Sequence, residues 1–173
     1  MLKNLIVLSL IFFIGCTNSN TKQEKYMFIK GINLYQKGKT KEALDQYKKI
    51  YEMDSKNVVV IREMALLSYE LGDINSSIKF YEEAYKLDPS NRDTIKNLIN
   101  IYYSIGDYKN AKKYLEKISV NNDNDLLKLK GYILYSEGKY SEAYDILKNC
   151  RFNEDDSNFI RIFTDILTKV ENK

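Results

Sequence analysis

The chain has 173 residues, of which 44% are hydrophobic and 29% are charged, which is enough for one globular unit with an apolar core. Its 27 basic and 24 acidic residues give a formal charge of +3 without a polybasic block, which argues against nucleic acid as a partner. Histidine is absent and cysteine occurs twice, so we expect neither a metal site nor a disulfide framework. One proline and seven glycines favour an all-α fold over a turn-rich sheet protein.

The first fifteen residues have the layout of a signal peptide. Lys3 supplies a positive charge, a largely apolar run covers residues 5–14, and Gly15 and Cys16 end that run. A run of this length is too short for an uncleaved transmembrane helix, which needs about 20 residues at a rise of about 1.5 Å each. The sequence therefore predicts that residues 1–15 are removed by cleavage.

The sequence Phe13-Ile14-Gly15-Cys16 resembles the lipobox of bacterial lipoproteins, in which a small residue precedes the cysteine. The resemblance implies that cleavage follows Gly15 and that the Cys16 thiol carries a lipid anchor whose acyl chains include palmitate. Phe13 stands where leucine is commonest, so the match is to a relaxed form of the motif. The alternative is an ordinary secretory signal with an incidental cysteine.

Residues 16–23 comprise this cysteine and a polar segment, Thr17 to Gln23, which lacks apolar periodicity and is predicted to be a tether. Seven extended residues span about 25 Å, so the folded body is expected to stay close to the membrane. Under a sorting rule of some diderm bacteria, Thr17 in place of aspartate favours the outer membrane or the periplasmic face.

The rest of the chain repeats itself with a nearly constant period. Gly38, Gly72 and Gly106 are evenly spaced, and Gly138 follows after a slightly shorter interval. A tyrosine stands three residues before each glycine: Tyr35, Tyr69, Tyr103 and Tyr135. A small residue stands five residues after each glycine: Ala43, Ser77, Ala111 and Ala143. Each glycine lies between segments of helical periodicity, where a positive φ ends a helix.

These phased positions resemble the tetratricopeptide repeat (TPR), and the segment 58–91 matches that family almost throughout. The resemblance implies a right-handed superhelical stack of antiparallel helix pairs. Four units are predicted, covering residues 24–57, 58–91, 92–123 and 124–153. The first and fourth units depart from the family pattern, because Lys30 and Lys130 stand where leucine is usual.

We predict helix pairs with boundaries uncertain by a few residues. Their ranges are 24–36, 40–53, 58–71, 74–87, 92–105, 108–119, 124–137 and 140–150. Residues 154–173 carry apolar residues at helical spacing after a candidate N-cap, Asp155 or Asp156, and are predicted to form a capping helix that covers the end of the stack. Alternatively this helix is offered to a partner or occupies the protein's own groove.

The sequence gives no support for catalysis, and we expect a protein that is not an enzyme and needs no cofactor or metal. It contains no histidine, Gly-rich phosphate loop or Ser nucleophile motif, and its acidic clusters are those of solvated surfaces. Cys150 occupies a small apolar position of the repeat and is predicted to be buried, with an intermolecular disulfide as the alternative.

In the TPR family the first helix of each pair lines a concave groove that binds a partner segment. The corresponding positions here are Phe28, Ile32, Tyr35, Arg62, Leu66, Tyr69, Lys96, Asn100, Tyr103, Lys128, Tyr132 and Tyr135. The tyrosines either offer contact area to a partner or pack between neighbouring helices. Arg62, Lys96 and Lys128 are either solvated or face the groove, where they would favour an acidic and apolar segment. The family's clamp for C-terminal carboxylates is incomplete, because Leu129 replaces an expected asparagine.

The leading hypothesis is a non-enzymatic scaffold that is anchored in the bacterial cell envelope through lipid on Cys16 and binds a protein or peptide in the groove, for example in envelope assembly. Two alternatives are a self-associating structural lipoprotein and a surface-exposed lipoprotein that contacts host molecules. A small-molecule enzyme is the weakest alternative.

Overall fold

The computed structural model describes residues 21–120 and 123–171. Those residues form helices joined by turns and short loops, and no strand occurs among them. The chain divides into two compact units, Met1–Asp88 and Pro89–Lys173. The predicted signal peptide and the lipidation site at Cys16 lie outside the described residues. Within the part described, none of the helices combines the length and apolar character that a membrane span requires.

The first unit contains two helix pairs. Its helices are α1 (21–36), α2 (Thr40–Met53), α3 (Val58–Glu70) and α4 (Ile74–Leu87). α2 packs against α3 and α3 packs against α4. α1 already includes residues 21–23, which the sequence assigned to the tether. Lys22, Gln23 and Glu24 are good helix formers, and the adjoining Met27 and Phe28 pack against the core, so the helix extends towards the amino terminus.

The second unit contains two further pairs and a final helix. Its helices are α5 (Arg92–Ser104), α6 (Tyr108–Leu115), α7 (Asn124–Ser136), α8 (Tyr140–Leu147) and α9 (Ser157–Glu171). α6 and α8 end earlier than predicted, by four and three residues. At both ends the backbone tightens into a turn in which an N–H bonds the carbonyl three residues earlier, as Lys117 N does to Tyr114 O at 3.0 Å and Cys150 N to Leu147 O at 3.0 Å.

Each of the four phased glycines ends the first helix of a pair, as the sequence predicts. Their φ values lie between 73° and 78°, in the left-handed region that favours glycine. At Gly72 the N–H bonds Tyr69 O at 2.9 Å and the following Asp73 N–H bonds Ser68 O at 2.9 Å, which is the Schellman arrangement. Asp73 then caps α4, because its Oδ1 accepts from Ser76 N at 3.0 Å. One turn thus ends one helix and begins the next.

The small phased residues permit close packing within each pair. Ala43, Ser77, Ala111 and Ala143 are all 0% exposed. The close approach is tightest at Gly131 of α7, where an added Cβ would lie 2.4 Å from Cγ of Leu147 on α8. The Leu147 side chain would therefore have to shift to admit a side chain at Gly131.

α9 packs against both α7 and α8, as α7 packs against α5 and α6. Phe159, Ile162 and Ile166 of α9 are at most 1% exposed and share one core cluster with Leu147 and Cys150. Asp156 caps the helix by accepting from Phe159 N at 3.1 Å. α9 thus takes the place that the first helix of a further repeat would occupy.

Candidate partner-binding groove

The predicted groove residues of α1 are partly accessible. Ile32 and Tyr35 are 36% and 37% exposed, whereas Phe28 is half-buried, with its ring centroid 5.4 Å from that of Tyr47 on α2. The Tyr35 hydroxyl donates to Glu70 Oε1 of α3 at 2.5 Å. This hydrogen bond raises the pKa of Tyr35, because it requires the protonated phenol. Tyr35 therefore both ties α1 to α3 and leaves part of its ring on the surface.

On α3 the predicted residues form a gradient from half-buried to exposed. Arg62 and Leu66 are half-buried, and Tyr69 is 42% exposed. Burial raises the pKa of the neighbouring Glu63 carboxyl, and the positive charge of Arg62 opposes that shift. The charge of Arg62 is thus partly engaged within the unit, and Tyr69 is the most accessible groove residue of this helix.

In the second unit the aromatic side chains mostly pack inside the fold. Tyr132 is only 6% exposed and belongs to the core cluster, so its prediction as a groove residue is wrong. Burial is the main cause that raises the pKa of Tyr132 well above its ordinary range. Tyr103 is half-buried between Tyr108 and Tyr132, with ring centroids 5.7 and 6.2 Å away. The half-buried Tyr135 donates its hydroxyl to Asp165 Oδ2 of α9 at 2.7 Å.

The two predicted groove lysines of this unit form ion pairs with the N-cap residues of the next first helix. Lys96 Nζ lies 3.2 Å from Asp123 Oδ2, which also pairs with Arg92 at 3.0 Å. Lys128 Nζ lies 2.5 Å from Asp156 Oδ2. Their side chains are 30% and 15% exposed, so these lysines do not form a row of open cations. Of the predicted groove residues in this unit, Asn100 is exposed.

Hydrogen bonds from positively charged side chains lower the pKa of both N-cap aspartates. The hydrogen bond from Lys128 lowers the pKa of Asp156. At Asp123 partial burial acts to raise the pKa, but hydrogen bonds from Arg92, the Leu126 backbone and Lys96 outweigh it and leave the pKa below its ordinary value. Sequence reasoning missed this arrangement because each aspartate lies almost a full repeat beyond its lysine in the chain. The sequence signal that could have indicated these ion pairs is the aspartate that precedes the start of α7 and of α9.

Two clefts were not predicted from the sequence. One, of about 370 Å³, lies in the first unit beside the start of α1 and is lined by Phe28, Ile29, Ile50 and Val60 among others. The other, of about 330 Å³, lies in the second unit between α7 and the end of α6. Lys130 lines this second cleft at a position where Leu98 of the preceding repeat is fully buried. The departure from the repeat pattern at Lys130 therefore accompanies looser packing.

No metal site is formed by the described residues, because no three His, Cys, Asp or Glu side chains come together among them. The arrangement instead offers exposed aromatic and aliphatic side chains on the first helices of the first unit. Such side chains can bury area against an apolar segment of another molecule.

Comparison with known proteins identifies the family. The family described as "Psidin, N-terminal TPR repeats region" matches residues 18–124, which is more than half of the chain. The chain therefore belongs to the tetratricopeptide repeat proteins. No curated protein sequence matches it significantly.

Solved structures with the same fold are numerous. YrrB, a TPR protein with an unusual peptide-binding site, has a TM-score of 0.75 and 18% identity, over 93% of this chain and 84% of its own. A TPR protein from Parabacteroides merdae ATCC 43184 has a TM-score of 0.74 and 15% identity, over 87% of this chain and 61% of its own. MamA from Desulfovibrio magneticus RS-1 has a TM-score of 0.68 and 16% identity, over 87% of this chain and 97% of its own. These similarities confirm the predicted all-α TPR fold.

Proposed function

We propose that this protein is a non-enzymatic scaffold that is anchored to the bacterial envelope by lipid on Cys16 and binds a segment of another protein on its first helices. The observation that carries the proposal is the exposure of Ile32, Tyr35 and Tyr69 on α1 and α3. These are positions at which TPR proteins contact their ligands, and large apolar side chains exposed together on a soluble surface mark interaction sites. The peptide-binding site of YrrB, a protein of the same fold, is consistent with this function.

The partner segment is expected to be apolar or aromatic rather than strongly acidic. Lys96 and Lys128 already neutralise Asp123 and Asp156, so an acidic ligand would have to displace an existing ion pair. Tyr69 and the exposed part of Tyr35 can bury ring surface at little cost in side-chain entropy. Burial of these rings and of Ile32 would supply the main binding energy.

Crosslinked pull-down of the membrane-bound protein tests the binding proposal. Wild-type protein should recover a defined partner, and Tyr69→Ala and Ile32→Ala should each lower the recovery several-fold. Leu87→Ala, at the end of α4, removes an aliphatic side chain of similar exposure, 41%, and is the matched control. Thermal unfolding of each variant checks that the fold is intact. The proposal is wrong if no partner exceeds background or if all three variants lose it equally.

The anchor is tested separately by metabolic labelling with palmitate. Wild-type protein should incorporate label and sediment with membranes, because two or three acyl chains hold a soluble domain on a bilayer. Cys16→Ser should abolish labelling, whereas Cys150→Ser, at the buried cysteine, should leave it unchanged. Label that persists in Cys16→Ser would exclude the proposed lipidation site.

Self-association is the second candidate, and exposed apolar side chains in the second unit favour it. Phe152 is 52% exposed and stacks on Phe159 with ring centroids 4.6 Å apart, and Ile160 of α9 is 41% exposed. A second copy could cover these side chains. Sedimentation of the unacylated chain from residue 16 decides between the candidates, because a monomer at micromolar concentration argues against self-association.

A further inference from the structure

One side of α1 is basic and partly apolar. Tyr26 and Ile29 are 66% and 58% exposed, which makes them the two most exposed large hydrophobic side chains of the described residues. Four exposed lysines lie on the same side of α1 or in the turn that follows it: Lys22, Lys25, Lys30 and Lys37. These six residues are called the basic face of α1 below. Glu24, the single acidic residue of α1, falls on the opposite side at 3.6 residues per turn.

Two residues of this face, Tyr26 and Lys30, correspond to the packing surface of the next first helix. Val60, Met64 and Leu67 of α3 are at most 1% exposed and belong to the core cluster that α2 supplies. The equivalent positions one repeat earlier, on α1, are Tyr26, Lys30 and Asn33. Tyr26 and Lys30 therefore occupy positions of the repeat at which α3 packs on the helix pair before it.

Lys30, which stands where α3 has the buried Met64, makes this surface polar and favours solubility. The exposure of Tyr26 and Ile29 is not explained in this way, because a purely solubilising surface would not retain two large apolar side chains. Exposed tyrosine and isoleucine set among lysines is instead the composition of helices that lie in the interface of an anionic membrane.

The charges of this face are available to a ligand. In the described part of the chain none of its four lysine side chains forms an ion pair or a hydrogen bond, in contrast to those of Lys96 and Lys128. Lysine side chains can extend their ammonium groups to phosphate while their methylene stems cover apolar surface. Each such lysine near an anionic lipid surface adds to membrane attraction.

The basic face lies close in sequence to the proposed lipid anchor, which favours the membrane as the surface that it contacts. The helix is already formed at residue 21, so Cys16 precedes it by five residues, which span about 17 Å at most. We propose that the basic face of α1 rests on anionic phospholipid headgroups of the membrane that holds the anchor, with Tyr26 and Ile29 at the interface. This inference rests on the proposed lipidation of Cys16. At 3.6 residues per turn the groove residue Tyr35 lies on the side of α1 opposite Tyr26 and stays accessible to a partner, and Ile32 lies between Tyr35 and Ile29.

Vesicle co-sedimentation without the lipid anchor tests the inference. The chain from residue 16 contains every described residue, and Cys16→Ser in that chain leaves it unacylated. It should bind vesicles of equal parts phosphatidylcholine and phosphatidylglycerol, and lose most of this binding on phosphatidylcholine alone or at high salt. Substituting Lys22, Lys25, Lys30 and Lys37 by Gln should weaken binding about tenfold or more, and Tyr26→Ser with Ile29→Ser should weaken it several-fold.

The matched control changes the same charge elsewhere in the first unit. Lys41, Lys49, Lys56 and Lys79 are exposed and likewise unpaired in the described residues, so their substitution by Gln alters net charge equally. This variant should retain wild-type binding. The inference is overturned if the parent chain does not bind the anionic vesicles, or if both lysine variants lose binding to the same extent. Palmitate labelling of the full chain tests lipidation of Cys16 independently of vesicle binding. The two experiments therefore distinguish an error in the proposed membrane contact from an error in the proposed lipidation site.

Discussion

Gly131 determines how closely α7 and α8 can approach. An added Cβ would lie 2.4 Å from Cγ of Leu147, a side chain that is 0% exposed. Gly131→Ala should therefore lower the free energy of unfolding by about 1–3 kcal/mol through overpacking, although alanine favours the helix by about 1 kcal/mol. Urea unfolding measures the loss. In a Leu147→Ala background the same substitution should be neutral or stabilising, and an equal loss in both backgrounds would contradict the steric explanation.

The buried tyrosines make the fold sensitive to alkaline pH. Tyr47 is 1% exposed, and burial raises its pKa from 10.0 to about 12. Because the folded state holds this proton more tightly, the stabilisation is complete below about pH 10 and is lost as pH rises towards about 12. The free energy of unfolding should fall in this window by up to about 1.4 kcal/mol per pH unit for such a tyrosine.

Tyr47→Phe should reduce this alkaline slope while changing stability at neutral pH little, since the ring that packs on Phe28 is retained. Urea unfolding between pH 9 and about pH 12 compares the variant with the parent. Tyr26→Phe, a substitution outside the core, is the matched control. A slope that is identical in Tyr47→Phe and the parent would show that Tyr47 is not the titrating group.

At the scale of elements, the N-cap aspartates connect successive first helices of the second unit. Asp123 caps α7, because its Oδ1 accepts a hydrogen bond from Leu126 N–H, and its carboxylate also pairs with Arg92 and Lys96 of α5. Asp123→Asn keeps a capping oxygen but removes the charge, so it should lower the free energy of unfolding by about 0.5–1 kcal/mol. Because salt screens the ion pairs, high salt should reduce the difference in the free energy of unfolding between Asp123→Asn and the parent.

Asp73→Asn is the corresponding change at a cap of the first unit that has no ion pair among the described residues. It should lower the free energy of unfolding less than Asp123→Asn does, because asparagine and aspartate cap equally well and Asp73 is not in an ion pair with another described residue, although Ser76 and Lys48 lower its pKa. Urea unfolding at low and high salt measures both variants. Equal losses at the two caps would mean that the ion pairs of Asp123 contribute nothing.

α9 is expected to protect the end of the last helix pair. Ile166 is 0% exposed and shares its core cluster with Cys150, so Ile166→Ala should cost about 2–5 kcal/mol and loosen α9. Burial also raises the pKa of the Cys150 thiol, which keeps it unreactive in the folded state. Cys16→Ser leaves Cys150 as the remaining thiol. In that chain, adding Ile166→Ala should make thiol modification of Cys150 at least about tenfold faster. Ile160→Ala, on the exposed side of the same helix, should not accelerate it.

The repeat predicts the elements well because its signals are local. A glycine with positive φ, an aspartate cap and apolar spacing each act within a few residues, so the turns at Gly38 and Gly72 lie where the sequence places them. The ends of α6 and α8 were placed too late, because no glycine marks them and the backbone tightens there instead. The groove was predicted less well. Whether Tyr132 is buried or Lys128 is paired depends on α9 and Asp156, which are distant in sequence.

At the scale of the whole molecule, α1 combines three roles on one helix. Its first described residue, Thr21, follows Cys16 by five positions, it exposes the basic face that we assign to the membrane, and it presents Ile32 and Tyr35 to a partner. A partner bound through α1 would then be held near the lipid surface. The short segment between the anchor and the helix is what would make this geometry effective, since it sets the local concentration of the binding surface at the bilayer.

Lengthening that segment separates a membrane-associated partner from a soluble one. An insertion of about 20 Gly and Ser residues before Thr21 adds a root-mean-square span of about 25 Å and leaves the anchor and the fold unchanged. If the partner lies in or on the same membrane, the lower effective concentration should reduce its crosslinking to the anchored protein several-fold. A rigid two-residue insertion at the same place is the control for local disturbance. Crosslinking that is unaffected by the long insertion would place the partner away from the membrane, because a soluble ligand reaches the groove equally well at any tether length.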